Sequence, residues 1–417
     1  MFDLKAIQTA LKEFGFDAWL LYDFRGSNVL AQRILQMPEG FTASRRYCCL
    51  IPAVGIPQKL VHRIETGVLD HIPGEKTVYL TWQEFESGLR GMISGNQAVA
   101  MEYSPRNANP YISRVDAGTV ELIRSLGAEV HSSGDLISLF ESTLTDAQLQ
   151  SHRDASVQTD AAFQKAWQLI ADDVRRVGWI DEQTVCDLIL RHFEENHLLT
   201  SHPPIVAVGP NSGNPHYETG SGKSTRITEG SFVLIDLWAK LNQPGAVYSD
   251  LTRTGFVGKD VPAEYAKVFR TVAAGRDAGI QCVRNAFECG RQISGWEVDA
   301  ATRKVISDAG YREFFCHRTG HSLGQETHGN GTHMDDLETH ETRRILPRTL
   351  FTIEPGIYLP EFGIRSEINV FIHALDSPDS TMSSGRATAG PGTLRWGQVE
   401  VTGLPMQTEI LPILREH

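Results

Sequence analysis

Four carboxylates and one imidazole stand in the C-terminal half of this chain, in segments whose patterns turn them toward shared ground: Asp236, Asp250, His321, Glu354 and Glu367. No fold can gather such a set in its interior as bare charges. Burying even one unpaired ion costs on the order of several kcal/mol. Two divalent cations would cancel four carboxylates charge for charge. The set therefore reads as a dinuclear metal centre, of the kind that activates water. Any one of these acids alone reads as surface decoration of an edge strand. Five such residues together do not, because buried acids are rare.

The flanking patterns predict convergence. Ser231 to Trp238 reads as a strand with Leu234, Asp236 and Trp238 on one face. Ala246 to Val257 reads as the next strand, with Tyr248, Asp250, Thr252 and Thr254 sharing a face. Thr349 to Glu354 is a third, stopped by Pro355 and Gly356, and Ile364 to Ile372 a fourth. Strict alternation there puts Arg365, Glu367 and Asn369 on one side, with Ile364, Ile368 and Val370 off it. Helices separate the strand pairs. A capping box at Thr145 and Gln148 opens a long helix to about Val177, ended by Gly178. Others run from Glu182 to about Asn196, from Pro262 to Glu288 and from Trp296 to Ala309. This is an α+β pattern, a curved antiparallel sheet covered by helices on one face. Residues 1–135 alternate shorter elements: a helix from Leu4 to Phe14, a strand from Ala18, a hairpin around Gly55, strands near Thr77 and Ala98, and a helix from Val115 to Leu126. They predict a smaller three-layer α/β domain. The expected domains are thus 1–135 and 145–417.

The residues around the five ligands carry a resemblance. Leu234-Ile-Asp236, Tyr248-Ser-Asp250-Leu-Thr-Arg-Thr254, Gly320-His321-Ser-Leu-Gly324, Thr352-Ile-Glu354-Pro-Gly-Ile-Tyr358 and Gly363-Ile-Arg-Ser-Glu367 resemble the pita-bread metallopeptidases of family M24. That family holds prolidase, aminopeptidase P and methionine aminopeptidase, with creatinase as a relative. The order Asp, Asp, His, Glu, Glu matches throughout about residues 145–417, and the N-terminal third resembles the creatinase/prolidase-type domain more loosely. The resemblance implies that Asp236 chelates one metal, that His321 and Glu354 bind the other, and that Asp250 and Glu367 bridge both. A hydroxide between the metals is then the nucleophile, since metal binding lowers a water pKa from about 15.7 to about 7. Glu354 would take or relay the water's proton. It also implies that His216 steadies the substrate and the tetrahedral intermediate, that His328 faces the scissile bond, and that His317 lines the substrate pocket. Arg365, on the face of Glu367, is expected to hold a ligand carboxylate, and with His317 it makes the expected substrate-binding pair. Oxygen-rich ligation suits manganese, which this branch of the family commonly uses, with cobalt, iron or zinc as alternatives. The activity implied is hydrolysis of Xaa-Pro bonds in short peptides, by a dipeptidase or an aminopeptidase. Non-peptide chemistry on the same fold, a C–N hydrolase or a lyase, is the alternative; a noncatalytic peptide-binding module fits less well, because all five ligands are retained. A homodimer is implied by resemblance alone.

Composition narrows the partners. Acids outnumber bases 51 to 39, for a formal net charge of −12, which argues against nucleic acid or an anionic membrane. The N-terminal residues lack a basic stretch followed by an apolar core, and no apolar run approaches a membrane span. The six cysteines form no Cys-x-x-Cys pair and suit a reducing cytoplasm. Two features mislead. Gly220 to Thr225 looks like the end of a phosphate-binding loop, but Tyr217 stands where that motif needs glycine. His62, His71, His131, His152, His192 and His197 lie in surface-like contexts, and His333 and His340 in a polar stretch expected to be loop. Two departures from the family pattern bear on substrate. Asp236 and Asp250 are separated by a longer connection than is usual, and Trp238 replaces the small residue usual two places after the first aspartate, which narrows the pocket.

Overall fold

The computed structural model describes residues 2–222, 224–374 and 397–415. These residues divide into two compact units, the first ending at Glu141 and the second starting at Ser142.

The first unit is built on a six-stranded mixed sheet. In spatial order its strands are Glu75–Tyr79, Gln58–His62, Tyr47–Pro52, Ala18–Asp23, Ala98–Met101 and Glu129–Ser132. The three central strands pair antiparallel, and the outer pairs run parallel. Strand alternation explains the layers. Trp19, Leu21, Cys49, Ile51 and Val61 pack on one face with Ile7 and Leu11 of the helix Leu4–Phe14. Their neighbours Ala18, Leu20, Cys48, Leu50 and Leu60 pack on the other with Phe85 and Leu89 of the helix Trp82–Ile93 and Ile123 of Ala117–Ser125. Both faces are buried, which gives the three layers.

The second unit holds the long helices, and their boundaries follow the sequence signals closely. Thr145 caps Asp146–Val177 in a reciprocal box with Gln148, and Gly178 ends it in the left-handed conformation that glycine adopts without strain. The others are Glu182–Glu195, Ala263–Glu288 and Gly295–Asp308. Strands Phe232–Leu241 and Ser249–Phe256 form an antiparallel pair, joined by Ile205–Val208, Leu198–Leu199 and, in parallel, Leu411–Pro412. A second sheet holds Ser322–Leu323, Leu350–Ile353, Ile368–Ile372 and Val399–Thr402, all antiparallel. Val233, Ile235 and Leu237 face the first two helices, against Phe163, Trp167, Ile189 and Phe193. Phe232 and Leu234 face the other way, onto Val268, Phe269 and Val272 of the third helix. The face that begins with Phe232 and Leu234 continues into Asp236 and Trp238, so one strand passes from core to site without changing its pleat. Among the described residues, no helix is long and apolar enough to cross a membrane.

Several expectations need correction. The fourth strand is not continuous. It breaks at Ser366 and Glu367 into Gly363–Arg365, which pairs with Gly356–Tyr358, and Ile368–Ile372, which joins the four-stranded sheet. The second strand starts at Ser249, because the backbone of Tyr248 is bonded to the Gly324 loop instead. His152 is not a surface residue: fully buried, its ring bridges the Tyr248 carbonyl at 2.7 Å and Thr402 Oγ1 at 2.6 Å. His62, His192 and His333 are buried as well. Lys223, in the phosphate-loop look-alike, lies outside the described residues.

The capping box makes a testable contribution to the second unit. Gln148 N–H donates to Thr145 Oγ1 at 3.2 Å, and the Gln148 side chain accepts from Thr145 N–H at 2.9 Å. Thr145→Ala is expected to lower stability by about 1 kcal/mol, and Thr145→Ser by much less. Denaturant midpoints of the two variants against wild type measure it, and equal midpoints for Ala and Ser would count against the cap.

Candidate metal centre

Asp250, His321 and Glu367 are buried, and each offers a ligand atom within 4.8 Å of the others'. Glu354 joins them, its Oε1 at 3.2 Å from His321 Nε2, while Asp250 Oδ2 stands 3.6 Å from the same nitrogen. Asp236 lies on the neighbouring strand, two residues before Trp238, which is in register with Asp250. The five residues come from five places in the chain: two paired strands, the position before Ser322–Leu323, the position after Leu350–Ile353 and the break before Ile368–Ile372.

The break in the fourth strand does not scatter its side chains. Arg365 Nε donates to Thr252 Oγ1 at 3.0 Å, and Thr252 Oγ1 donates to Glu367 Oε2 at 2.7 Å. Asn369 accepts from Asp250 N–H at 3.2 Å and donates to the Asp250 carbonyl at 2.7 Å. Arg365, Glu367 and Asn369 therefore all face the strand Ser249–Phe256, as alternation predicted, although two sheets share them.

The electrostatics show what the cluster lacks. Burial, then the charges of Asp236 and Glu354, push Asp250 well above the carboxylate range. Burial, then Asp250 and Glu354, do the same to Glu367. Burial raises Glu354 to about 7, against the opposing pull of Arg365. Burial pushes His321 well below its usual range. Its Nδ1 lies 3.2 Å from the Ser322 carbonyl, so Nδ1 carries the proton and Nε2 presents a lone pair. That lone pair faces oxygens of Asp250 and Glu354. Acceptors facing acceptors require a proton or a cation between them. Asp236 adds a further sign: Oδ2 accepts from Arg365 at 2.5 Å, but the buried Oδ1 has no hydrogen-bond partner. The donor set, one imidazole and four carboxylates, fits hard or borderline divalent ions.

The other expected site residues are less alike. His328 packs edge-on against His321, with ring centroids 4.4 Å apart. Burial, followed by the charges of Arg318 and His216, lowers it to about 4; because the residue is partly open to water, solvent screens much of that shift. His216 sits on an exposed segment, its N–H bonded to Asn214 Oδ1 at 3.0 Å, and its charge reaches His328. His317 and Arg365, the expected substrate-binding pair, direct their polar atoms at protein. His317 Nδ1 donates to the Arg318 carbonyl at 2.7 Å, and its Nε2 accepts from Tyr358 OH at 2.7 Å. Arg365 also reaches Tyr358 OH, at 2.9 Å. Thr252, Thr352 and Tyr358 were not singled out as site residues, and each bonds to one. Thr252 shares the face of Asp250, so strand period alone could have found it; nothing local marks Tyr358. Half-buried Trp238, beside Asp250, is held through Nε1 by Ser201 Oγ at 3.0 Å.

The model of metallopeptidase family M24 matches residues 150–374. A putative Xaa-Pro aminopeptidase of Mycoplasma pneumoniae is 34% identical over 200 residues, 46% of this chain and 49% of that protein. An Xaa-Pro dipeptidase of Lactobacillus delbrueckii subsp. lactis is 32% identical over 244 residues, 56% of this chain and 58% of that protein. The chain thus spans about half the length of these curated relatives. Among solved structures, the dipeptidase PepE from Mycobacterium ulcerans shares the fold, with a TM-score of 0.61 at 20% identity, over 98% of this chain and 96% of that one.

Protons and metal should compete for the centre. Acids whose pKa is raised on folding keep their protons at neutral pH, and a cation must displace them. Metal affinity is therefore expected to fall as pH drops through the range of Glu354, near 7. The sign for stability follows from the same shifts. The metal-free protein is favoured while these acids are protonated and loses that advantage as pH rises through their folded values. The gain in Tm on adding Mn(II) should accordingly grow with pH. Calorimetric titrations in buffers of different ionisation enthalpy measure the proton release, and pH-independent binding without it would refute the assignment.

Proposed function

This chain belongs to metallopeptidase family M24, and from that premise we propose that it hydrolyses Xaa-Pro bonds in short peptides with two divalent cations, manganese first among them. The observation that carries the metal part is the His321 lone pair set against two carboxylate oxygens. The substrate class rests on the Xaa-Pro dipeptidase and Xaa-Pro aminopeptidase among its relatives.

Asp236, Asp250, His321, Glu354 and Glu367 would hold the cations. Bound there, they would supply Lewis-acid polarisation of the scissile carbonyl and acidification of a water molecule. The rest falls to the chain. Arg365 fixes one oxygen of Asp236 and, through Thr252, is linked to Glu367, so it holds the ligand carboxylates in place and is not assigned to substrate. Glu354 is assigned to take a proton from the attacking water and return it to the leaving nitrogen. His328 and His216 are assigned to the scissile carbonyl as donors to its developing charge. A bond before proline has no N–H for a general protease site to grip, so these imidazoles and the shape of the pocket must do the selecting. Trp238, in register with Asp250, is assigned to the wall of the substrate pocket, where its bulk would favour a compact substrate.

Two measurements test this. His216→Ala and His328→Ala should each lower kcat by about 10²–10³-fold, as loss of an oxyanion donor does, with two metals still bound per chain. Loaded wild-type enzyme should cleave dipeptides with proline second and leave Ala-Ala largely intact. Protein that binds two metals yet ignores every Xaa-Pro peptide would overturn the substrate and leave the centre standing.

A further inference from the structure

Glu182 opens the helix Glu182–Glu195 and is completely buried, yet among the described residues no cation is one of its hydrogen-bond partners. Four donors take its place. Oε1 accepts from Val208 N–H and Asn211 Nδ2, both at 2.8 Å. Oε2 accepts from Tyr217 OH at 2.7 Å and Thr225 N–H at 3.2 Å. All four come from one stretch of chain, and His216 lies inside it. Between Gly213 and Arg226 the described residues of that stretch form no helix or strand to hold it. Its near end is wedged in place: Gly363 N–H donates to Ser212 Oγ at 2.9 Å, and a Cβ on Gly213 would come within 2.6 Å of the Leu359 carbonyl oxygen. Its far end, beyond His216, is tied to the core at three points: Glu182 holds Tyr217 and Thr225, Thr219 Oγ1 accepts from Val206 N–H at 2.7 Å, and Ser224 Oγ accepts from Gln183 N–H at 3.3 Å. A segment without its own ladder stays fixed only where its polar groups find rigid partners.

We propose that Glu182 is the positioning residue for His216: its buried carboxylate gathers the segment from Val208 to Thr225 and thereby sets where the His216 imidazole stands, without touching substrate or metal. The proposal rests on the peptidase assignment of His216 only for its kinetic consequence. A carboxylate is required because it is acceptor-only. A glutamine amide would have to turn its NH2 toward either Val208 N–H or Thr225 N–H, and neither backbone group can accept. Turned toward Val208, the amide leaves a buried donor facing a donor; turned toward Thr225, it forfeits that part-buried bond and reverses the one to Tyr217 OH.

The experiment is a double-variant cycle on the full, Mn-loaded chain, with hydrogen exchange read alongside. Glu182→Gln should lower kcat about 10-fold, the scale on which outer partners of catalytic groups act, with metal content unchanged. In the His216→Ala background the same change should cost less than about 2-fold, because coupled sites are not additive. Exchange should quicken across residues 209–222 and not in the helix Asp146–Val177. Tyr217→Phe, which removes one tether and leaves the carboxylate, covers the case in which Glu182→Gln does not fold. It should show a smaller kcat loss in the same direction, again absent without His216. Losses that multiply in the double variant, or unchanged exchange over 209–222, would overturn the proposal. If the wild-type chain cleaves no Xaa-Pro peptide, the peptidase assignment fails separately. Exchange then decides: loosening confined to 209–222 upholds the anchoring, and none, or a uniform rise, rejects it.

Discussion

Mutual repulsion among buried carboxylates is the constraint around which the second unit is arranged. Burial and neighbouring carboxylates raise the cost of ionising Asp250, Glu354 and Glu367 in a space from which water is largely excluded. Within the protein, Arg365 offsets part of that cost through a direct bond to Asp236. Hydroxyls handle some of the rest, Thr252 on Glu367 and Thr352 on Glu354. What these groups leave unsatisfied, notably Asp236 Oδ1, is the opening for cations. A cluster of this kind weakens the fold without metal and strengthens it with metal, so stability and ligand binding become one equilibrium.

The scaffold answers that repulsion with rigidity. Ligands come from two sheets and from the ends of short strands; the first two long helices back the sheet of Asp236 and Asp250, and the third packs against both sheets. Val233, Ile235 and Leu237 lock one side of the Asp236 strand into a large apolar cluster. Ile353, Ile368 and Val370, on either side of Glu354 and Glu367, pack with Ile280 and Val283 of the third helix. The fourth helix contributes through polar bonds. Asp299 accepts from Thr319 N–H at 2.9 Å, and Arg303 donates to the His317 carbonyl at 2.8 Å, fixing the approach to His321. Glu354 N–H in turn donates to the Thr319 carbonyl at 2.7 Å. Buried apolar contacts fix the strands, and buried polar contacts fix the loops between them.

The histidines divide along the same line. His152 and His317 have both ring nitrogens bonded to protein, and His152 joins two segments nearly 100 and 250 residues away along the chain. His216 and His328 sit on segments that meet water. The substrate roles proposed for His216 and His328 need polar atoms not committed to the protein, and that difference separates the two groups better than their sequence surroundings do.

Much was legible in the sequence, for local reasons. Periodicity, the cap at Thr145, the left-handed glycine at Gly178 and strand alternation are all encoded within a few residues. They located the four long helices of the second unit and the faces carrying Asp236, Asp250 and Glu367. The capping box at Thr81 and Glu84 was equally local, and the helix Trp82–Ile93 could have been read from it. What the sequence could not supply was any property that depends on distant partners. The division of Ile364–Ile372 between two sheets follows from competing strand neighbours, Gly356–Tyr358 on one side and Leu350–Ile353 on the other. The burial of His152 depends on Tyr248 and Thr402. The engagement of Tyr358 by Arg365 and His317, and of the His216 segment by Glu182, joins residues that share no local pattern. Short-range sterics and hydrophobic period chose the elements and their faces; packing and long-range hydrogen bonding decided which polar atoms are left to meet a ligand.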